Sequence, residues 1–307
     1  MFHFYSIFFF ISLSGLTLKA MDLGIETTVF NVRQGSGAVL RDRHKGTSFI
    51  VDAGYSGENV ETLPLLHRFN AAIFGKGGYQ KKERLRGILL SHADGDHIKL
   101  LTRVIHSNSR AFKEQNKQQH NRISVYLGSP FNEYLVGDGV DCLNALISVN
   151  ATLRPLSHII TSEEASTKTM PIPPIPRPFF MNALIPEFSD STRGLLTVIM
   201  VANASYKGEG KFLGTIENPG HLDDAAPNLD TQIYGGKNDN GAILKLTYKE
   251  KHIVFPGDVD GKYTDNLLIN VPELIRSNFL STHVLLAAHH GAERERTNNL
   301  PWLLISD

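Results

Sequence analysis

Apolar and polar positions along the chain fall into short β-type runs separated by turns, with a few stretches of helical period. Residues 26–32 (ETTVFNV) are rich in β-formers, Gln34-Gly35-Ser36-Gly37 is a turn, and the strand resumes at residues 38–40. Residues 41–46 read as a polar hairpin tip, and residues 47–51 as a third strand ending in Asp52-Ala53-Gly54. This opening predicts an antiparallel β-meander. Residues 60–69 carry a weak helical pattern, with Leu63, Leu65, Leu66 and Phe69 on overlapping faces. The apolar run 87–90 (GILL), bounded upstream by the charged segment 81–86, reads as a short buried strand. A helix follows at residues 98–105, starting close behind the strand. Residues 107–122 are very polar and predict an exposed segment, helical or partly mobile. Residues 123–127 are a strand closed by Gly128-Ser129-Pro130, residues 140–149 a short helix, and residues 153–161 one more strand.

The second half begins with an interruption. Residues 170–180 (MPIPPIPRPFF) hold five prolines, which excludes a helix or a central strand and predicts a stiff connector over the surface. Residues 195–204 are the most continuous β-type run, and residues 205–237 are a Gly- and Asp-rich loop region. Together these features predict an insertion spanning about residues 165–237. Strands return at residues 241–248 and 252–255 as a hairpin whose second arm ends in Pro256-Gly257-Asp258. Residues 266–280 read as a helix and residues 284–288 as a buried strand ending in His289-His290-Gly291.

Composition narrows the functional classes. At 307 residues the chain suits one large domain or two small ones, and 41% hydrophobic content is enough for a sizeable core. Lys plus Arg equals Asp plus Glu at 31 each, so no global field draws the chain to nucleic acid or a membrane. Lys99, Arg103, Lys113, Lys117 and Arg122 could form a local basic patch, although a solvated helix face is the commoner explanation of such residues. The single cysteine, Cys142, excludes an intramolecular disulfide and a Cys-rich zinc site, and reads as a small buried hydrophobe. Residues 4–18 carry no charge and are followed by Lys19-Ala20. This predicts a signal peptide over residues 1–20 and export to the periplasm or beyond, with residues 21–307 as the mature domain. An uncleaved membrane anchor and a buried N-terminal strand are the alternatives. No stable protein partner is implied.

The chemistry concentrates at strand ends. Ser91-His92-Ala93-Asp94-Gly95-Asp96-His97 places four metal-ligand types, His92, Asp94, Asp96 and His97, within six residues and without a Lys or Arg among them. Carboxylates packed that closely repel one another unless a cation lies between them. A polar turn of ordinary loop residues is the plain alternative. Imidazole and carboxylate together suit Zn, Mn or Fe. A helix starting there would aim its N-terminal amides at the site. Asp52, Asp258 and His289/His290 also close strands, and the set of four such endings argues for a shared cleft at one sheet edge. Asp52 reads equally as a carboxylate orienting a ligand histidine or as a turn or helix-cap residue.

In that setting His92-Ala93-Asp94-Gly95-Asp96-His97 resembles the HxHxDH signature of the metallo-β-lactamase superfamily, with Asp94 in place of the second histidine. The HxDxDH variant is similar to the extracytoplasmic hydrolase domain of DNA-internalisation competence (ComEC-type) proteins and their stand-alone relatives. Other segments follow in the family's order. They are residues 29–35 near its DVGQGD opening (with Asn31 and Arg33 as departures), residues 49–54 near LIDAG, residues 238–246 near its NN-S strand, residues 255–258 near TGD, and His289-His290-Gly291 as HHG. Residues 301–306 resemble its last strand.

The resemblance implies an α/β fold, a four-layer αβ/βα sandwich with one or two divalent metal ions at one edge, Zn first and Mn or Fe as alternatives. His92 and Asp94 would hold one metal, Asp96 and His97 a second, and Asp258 would bridge them. His289 or His290 would complete the second site, with Asp52 and Asn240 behind the ligands. A further histidine of the family has no clear counterpart; His158 and His221 are candidates. The implied activity is that of a metallo-hydrolase acting through metal-bound hydroxide, with Asp96 and Asp258 fixing the metal geometry, and most of all that of a phosphodiesterase or nuclease. Hydrolysis of small esters, lactones or lactams, and non-catalytic binding on the same fold, are the alternatives. The substrate is then a phosphodiester or a small ester, and net charge gives nucleic acid no support.

Overall fold

Alternation along the strands sorts the apolar residues into two cores on opposite faces of one sheet. The computed structural model of the protein describes residues 16–19, 25–30, 32, 35–56, 62–75, 83–129, 131–155, 179–186, 195–201, 220, 222, 241–248, 251–259 and 284–286. The first sheet runs in the order of the sequence: β1 (Leu16–Lys19), β2 (Ile25–Val29), β3 (Gly37–Asp42), β4 (Thr47–Ala53), β5 (Arg84–Leu90), β6 (Ser124–Leu127) and β7 (Thr152–Pro155). Strands β1 to β4 pair antiparallel, and β4 to β7 pair parallel. Parallel neighbours need a crossover. Here α1 (Thr62–Phe74) joins β4 to β5, α2 (Gly95–Ser107) and α3 (Ser109–Asn116) join β5 to β6, and α4 (Asp138–Ser148) joins β6 to β7.

The second sheet has the order β12-β11-β10-β9-β8, from β8 (Phe179–Leu184), β9 (Leu195–Val201), β10 (Ala242–Tyr248), β11 (Lys251–Phe255) and β12 (Val284–Leu285). On one face of the first sheet, Val39, Ile50, Ile88, Leu90, Val125 and Leu127 pack against the helices through Phe69, Leu101, Val104 and Leu143. On the other face, Leu40, Phe49, Val51, Leu89 and Tyr126 meet Ala242, Leu244, Leu246 and Phe255 of the second sheet. Each such side chain taken fully out of water contributes roughly 1.5–3 kcal/mol. This is the α/β sandwich expected from the sequence. Helices, first sheet and second sheet lie within the described residues, and the helix expected at residues 266–280 lies outside them.

Several elements differ from expectation in informative ways. Helix α1 runs to Phe74 rather than residue 69, because Leu65, Phe69 and Ile73 continue one buried stripe while Leu63 is 63% exposed. Strand β5 starts at Arg84, inside the charged segment, since Leu85 faces the core and Arg84 and Arg86 both donate to Asn121 Oδ1. The polar stretch 107–122 is not simply an exposed face. Gln115 is buried and donates to the carbonyls of Leu85 and Asn121, and buried Asn116 donates to Val149 O and accepts from Ile123 N. Strand β8 begins at Phe179, where the proline-rich connector was expected still to be running. Leu16–Lys19, expected at the end of the leader, pairs with β2 as the outer strand of the first sheet. Residues 1–15 lie outside the described residues, and no helix among the described residues is long and apolar enough to cross a membrane.

Candidate metal centre

Strands β4 and β5 are parallel neighbours, so Asp52 and the 91–97 turn leave the sheet at the same edge. The β3–β4 register passes from Ala38↔Val51 to Gly37↔Ala53, which leaves Asp52 as the extra residue of a bulge. Asp52 takes a left-handed φ of 53°, a conformation that Asp tolerates better than most residues but that still costs on the order of 1 kcal/mol or more. The strain turns its carboxylate towards the start of α2. Gly54 makes the approach feasible, because a Cβ there would overlap the backbone of Asp96 and His97. Ser36 N donates to Asp96 O at 3.0 Å, and Gly54 N to Ser36 O at 2.9 Å. The first turn of α2 is therefore seated on the two glycine-bearing turns that open and close the β3–β4 pair.

The geometry at this edge is tight. Asp52 Oδ1 accepts from Ser91 N at 2.7 Å, and Asp52 Oδ2 meets Ser91 Oγ at 2.8 Å and His97 Nδ1 at 2.9 Å. Ser91 Oγ also lies 3.0 Å from His92 Nδ1 and 3.2 Å from His97 Nδ1. The His92 and His97 rings face each other with centroids 3.9 Å apart, tilted by 52°. His97 Nε2 is 3.1 Å from Asp258 Oδ1, which arrives from the tight turn after β11, where Gly257 has φ 57°. His92, His97 and Asp258 are all buried, and each offers a ligand atom within 4.8 Å of the others.

Electrostatics divide the two histidines. Burial pushes His92 down to about 4, helped by the neighbouring His97 ring and resisted by Asp258, Asp52 and Asp94. Burial acts against charge on His97 as well, yet Asp52 and Asp258 on either side outweigh it and hold His97 well above the usual histidine range. Two carboxylates flanking one buried point make a field that attracts a cation. His92 Nε2 is a buried ring nitrogen with no hydrogen-bond partner among the described residues. A neutral imidazole presenting an unpartnered nitrogen beside a buried carboxylate is the donor set a divalent metal takes, so the residues present fit such an ion.

The remaining expected residues lie as follows. Asp94 occupies the N-cap position of α2 without a side-chain capping bond, and its Oδ2 lies 3.7 Å from His92 Nε2. Asp96 stands in the first turn of α2 and is not a member of the three-residue cluster among the described residues. Asn240, His289 and His290 lie outside the described residues, as do His158 and His221. Three of the candidate basic residues have partners of their own. Lys99 pairs with Asp138 at 3.3 Å, Arg103 donates to Thr62 Oγ1, and Lys117 pairs with Glu114. Cys142 is a buried thiol pushed up to about 12 by burial, as a small core residue should be.

Ser91 is the residue that sequence reasoning passed over. It was visible as the first residue of the motif stretch, but a serine at a strand end signals nothing by itself. Its importance comes from the parallel pairing that brings Asp52 beside it.

No protein-family model and no curated protein matches the chain. Among solved structures, the crystal structure of Zn2+-bound PqqB from Methylobacterium extorquens is similar at a TM-score of 0.35 and 10% identity. The match covers 76% of this chain and 56% of that one, so it spans little more than half of that protein. A likeness at that level carries no argument about the site.

Proposed function

We propose that the protein is a metal-dependent hydrolase of the metallo-β-lactamase type, acting on phosphodiesters. The observation that carries the reading is the buried cluster of His92, His97 and Asp258, with ligand atoms within 4.8 Å of one another at the ends of three elements of a two-sheet sandwich. His92 and His97 would hold a divalent ion through Nε2 and Asp258 through a carboxylate oxygen, with Asp94 and Asp96 at the rim, and His289 or His290 as a further ligand. When bound, such an ion supplies Lewis acidity and lowers the pKa of water towards neutrality. The chain's own contribution is to orient His97 through Asp52, to keep His92 neutral by burial, and to bring carboxylates beside the ion. The phosphodiester reading is supported by the resemblance of the 92–97 motif to the HxDxDH variant, in which Asp94 replaces a histidine. A carboxylate in place of an imidazole hardens the ligand set towards Mn or Fe alongside Zn.

Turnover of bis-p-nitrophenyl phosphate, DNA and nitrocefin, each with added Zn or Mn, tests the proposal. The expected result is phosphodiester cleavage that EDTA abolishes and metal restores. Cleavage of nitrocefin alone would move the assignment to small acyl substrates, and turnover that survives complete metal removal would sink it.

A further inference from the structure

The Ser91 side chain sits at the meeting point of both cluster histidines, and its single proton decides how they are arranged. A hydroxyl has one hydrogen to give and two lone pairs. Asp52 Oδ2, 2.8 Å from Ser91 Oγ, is an oxygen acceptor, so the serine hydrogen must lie between those two atoms. The 3.0 Å contact to His92 Nδ1 is then a hydrogen bond only if His92 Nδ1 carries the hydrogen and donates it to Ser91 Oγ. His97 Nδ1, 2.9 Å from Asp52 Oδ2 and 3.2 Å from Ser91 Oγ, donates into the same pair. Both rings therefore turn Nε2 away from Ser91: that of His97 lies 3.1 Å from Asp258 Oδ1, and that of His92 is buried with no hydrogen-bond partner among the described residues.

The main chain of Ser91 is fixed as firmly. Its N–H donates to Asp52 Oδ1 at 2.7 Å, and its carbonyl accepts from Ala242 N at 2.9 Å. That second bond ties the end of β5 to the start of β10 in the other sheet. The surroundings are cut to a small residue. A Cβ on Gly128 would overlap Ser91 O, and one on Gly257 would come within 3.1 Å of Ser91 Cβ and Oγ.

From this geometry we infer that Ser91 is a positioning residue that holds His92 in the Nδ1–H tautomer, and so sets the affinity of the cluster for a divalent metal. The inference rests on the metal reading of the cluster above. Its logic is that of any ligand histidine whose far nitrogen must be committed elsewhere before the near one is free to coordinate. Without Ser91 Oγ, His92 Nδ1 has no acceptor among the described residues, and the ring gains from turning its hydrogen to Nε2, facing Asp258 and Asp94.

The test compares wild type with Ser91→Ala in two measurements. Long-range 15N–1H correlation spectra of the chelator-stripped protein read the His92 tautomer directly, and competition with a chromophoric chelator reads Zn and Mn affinity. The expected result is Nδ1–H for His92 in wild type, a shift towards Nε2–H in Ser91→Ala, and about a 10–100-fold loss of metal affinity. Ser91→Gly also removes the hydroxyl without adding a metal ligand, and should fall with Ser91→Ala if the hydroxyl is what matters. It also replaces Ser91→Ala as the test variant if that one fails to fold by circular dichroism. Unchanged tautomer and unchanged affinity in a folded variant overturn the inference and leave the metal reading standing. Failure of wild type itself to bind either metal overturns the metal reading and the affinity claim together.

Discussion

Asp52 shows how one residue couples strain, hydrogen bonding and charge. Its left-handed backbone lies in a bulge, and its carboxylate takes contacts from Ser91 N, Ser91 Oγ and His97 Nδ1. Asp52→Asn keeps the shape but replaces one accepting oxygen by a donor that faces a hydroxyl hydrogen or a ring N–H. We expect about a 10–100-fold loss of Zn affinity, read by chelator competition, with the fold retained in circular dichroism. An undiminished affinity would separate Asp52 from the metal. At this scale the sequence was legible wherever ligand-type residues cluster. His92, His97 and Asp258 were singled out from strand endings alone, and the structure brings them together. Ser91 and the competing readings of Asp52 were not resolvable, because their meaning lies in a contact across 39 residues that no local pattern records.

Elements carry two further tests. Gly54 lets the start of α2 close on the β4 end, and a Cβ there would overlap the Asp96 and His97 backbone. Gly54→Ala should therefore cost about 1–3 kcal/mol in urea unfolding through overpacking, and should weaken metal binding by displacing His97. Wild-type stability in that variant would mean the turn can relax without moving the helix. On β10, Lys245 is buried, and burial pushes its ammonium down to about 8 from 10.5. Between those values the unfolded chain binds more protons than the folded one at this group, so its contribution to stability rises as pH increases from about 8 to 10.5. Lys245→Met lacks that response. The unfolding free energy of wild type relative to the variant should climb across this window and be flat below it, and a flat difference throughout would contradict the burial argument. Strands and helices with clear periods were legible from the pattern, α2 and the β10–β11 hairpin above all. The extension of α1 and the buried amides of α3 were not, since Gln115 and Asn116 read as solvent-facing until their partners on Leu85, Asn121 and Val149 are in place.

On the scale of the whole molecule, the two sheets share a core on one side of the first sheet while the helices cover the other. The candidate centre lies where three strand ends converge, with β4 and β5 from the first sheet and β11 from the second. A ligand bound there ties the sheets together, so a metal should stabilise the fold by roughly 2.7 kcal/mol at a concentration 100 times its dissociation constant. The sandwich was legible through the resemblance of the motif-bearing segments to a known family, whereas the pattern of strands and helices alone gave only an α/β order without pairing. Sheet order, the start of β8 after the prolines and the pairing of Leu16–Lys19 with β2 were not, because edge placements depend on long-range partners rather than on local period.

A divalent metal held by His92, His97 and Asp258 is the core of the proposed function. The most direct measurement is the metal content of purified protein after equilibration with Zn or Mn and removal of free ion, for wild type and the double variant His92→Ala/Asp258→Asn. At least one bound equivalent is expected in wild type, accompanied by a rise in melting temperature, with loss of both in the double variant. Wild type that retains no metal, or a double variant that retains as much, would contradict that function.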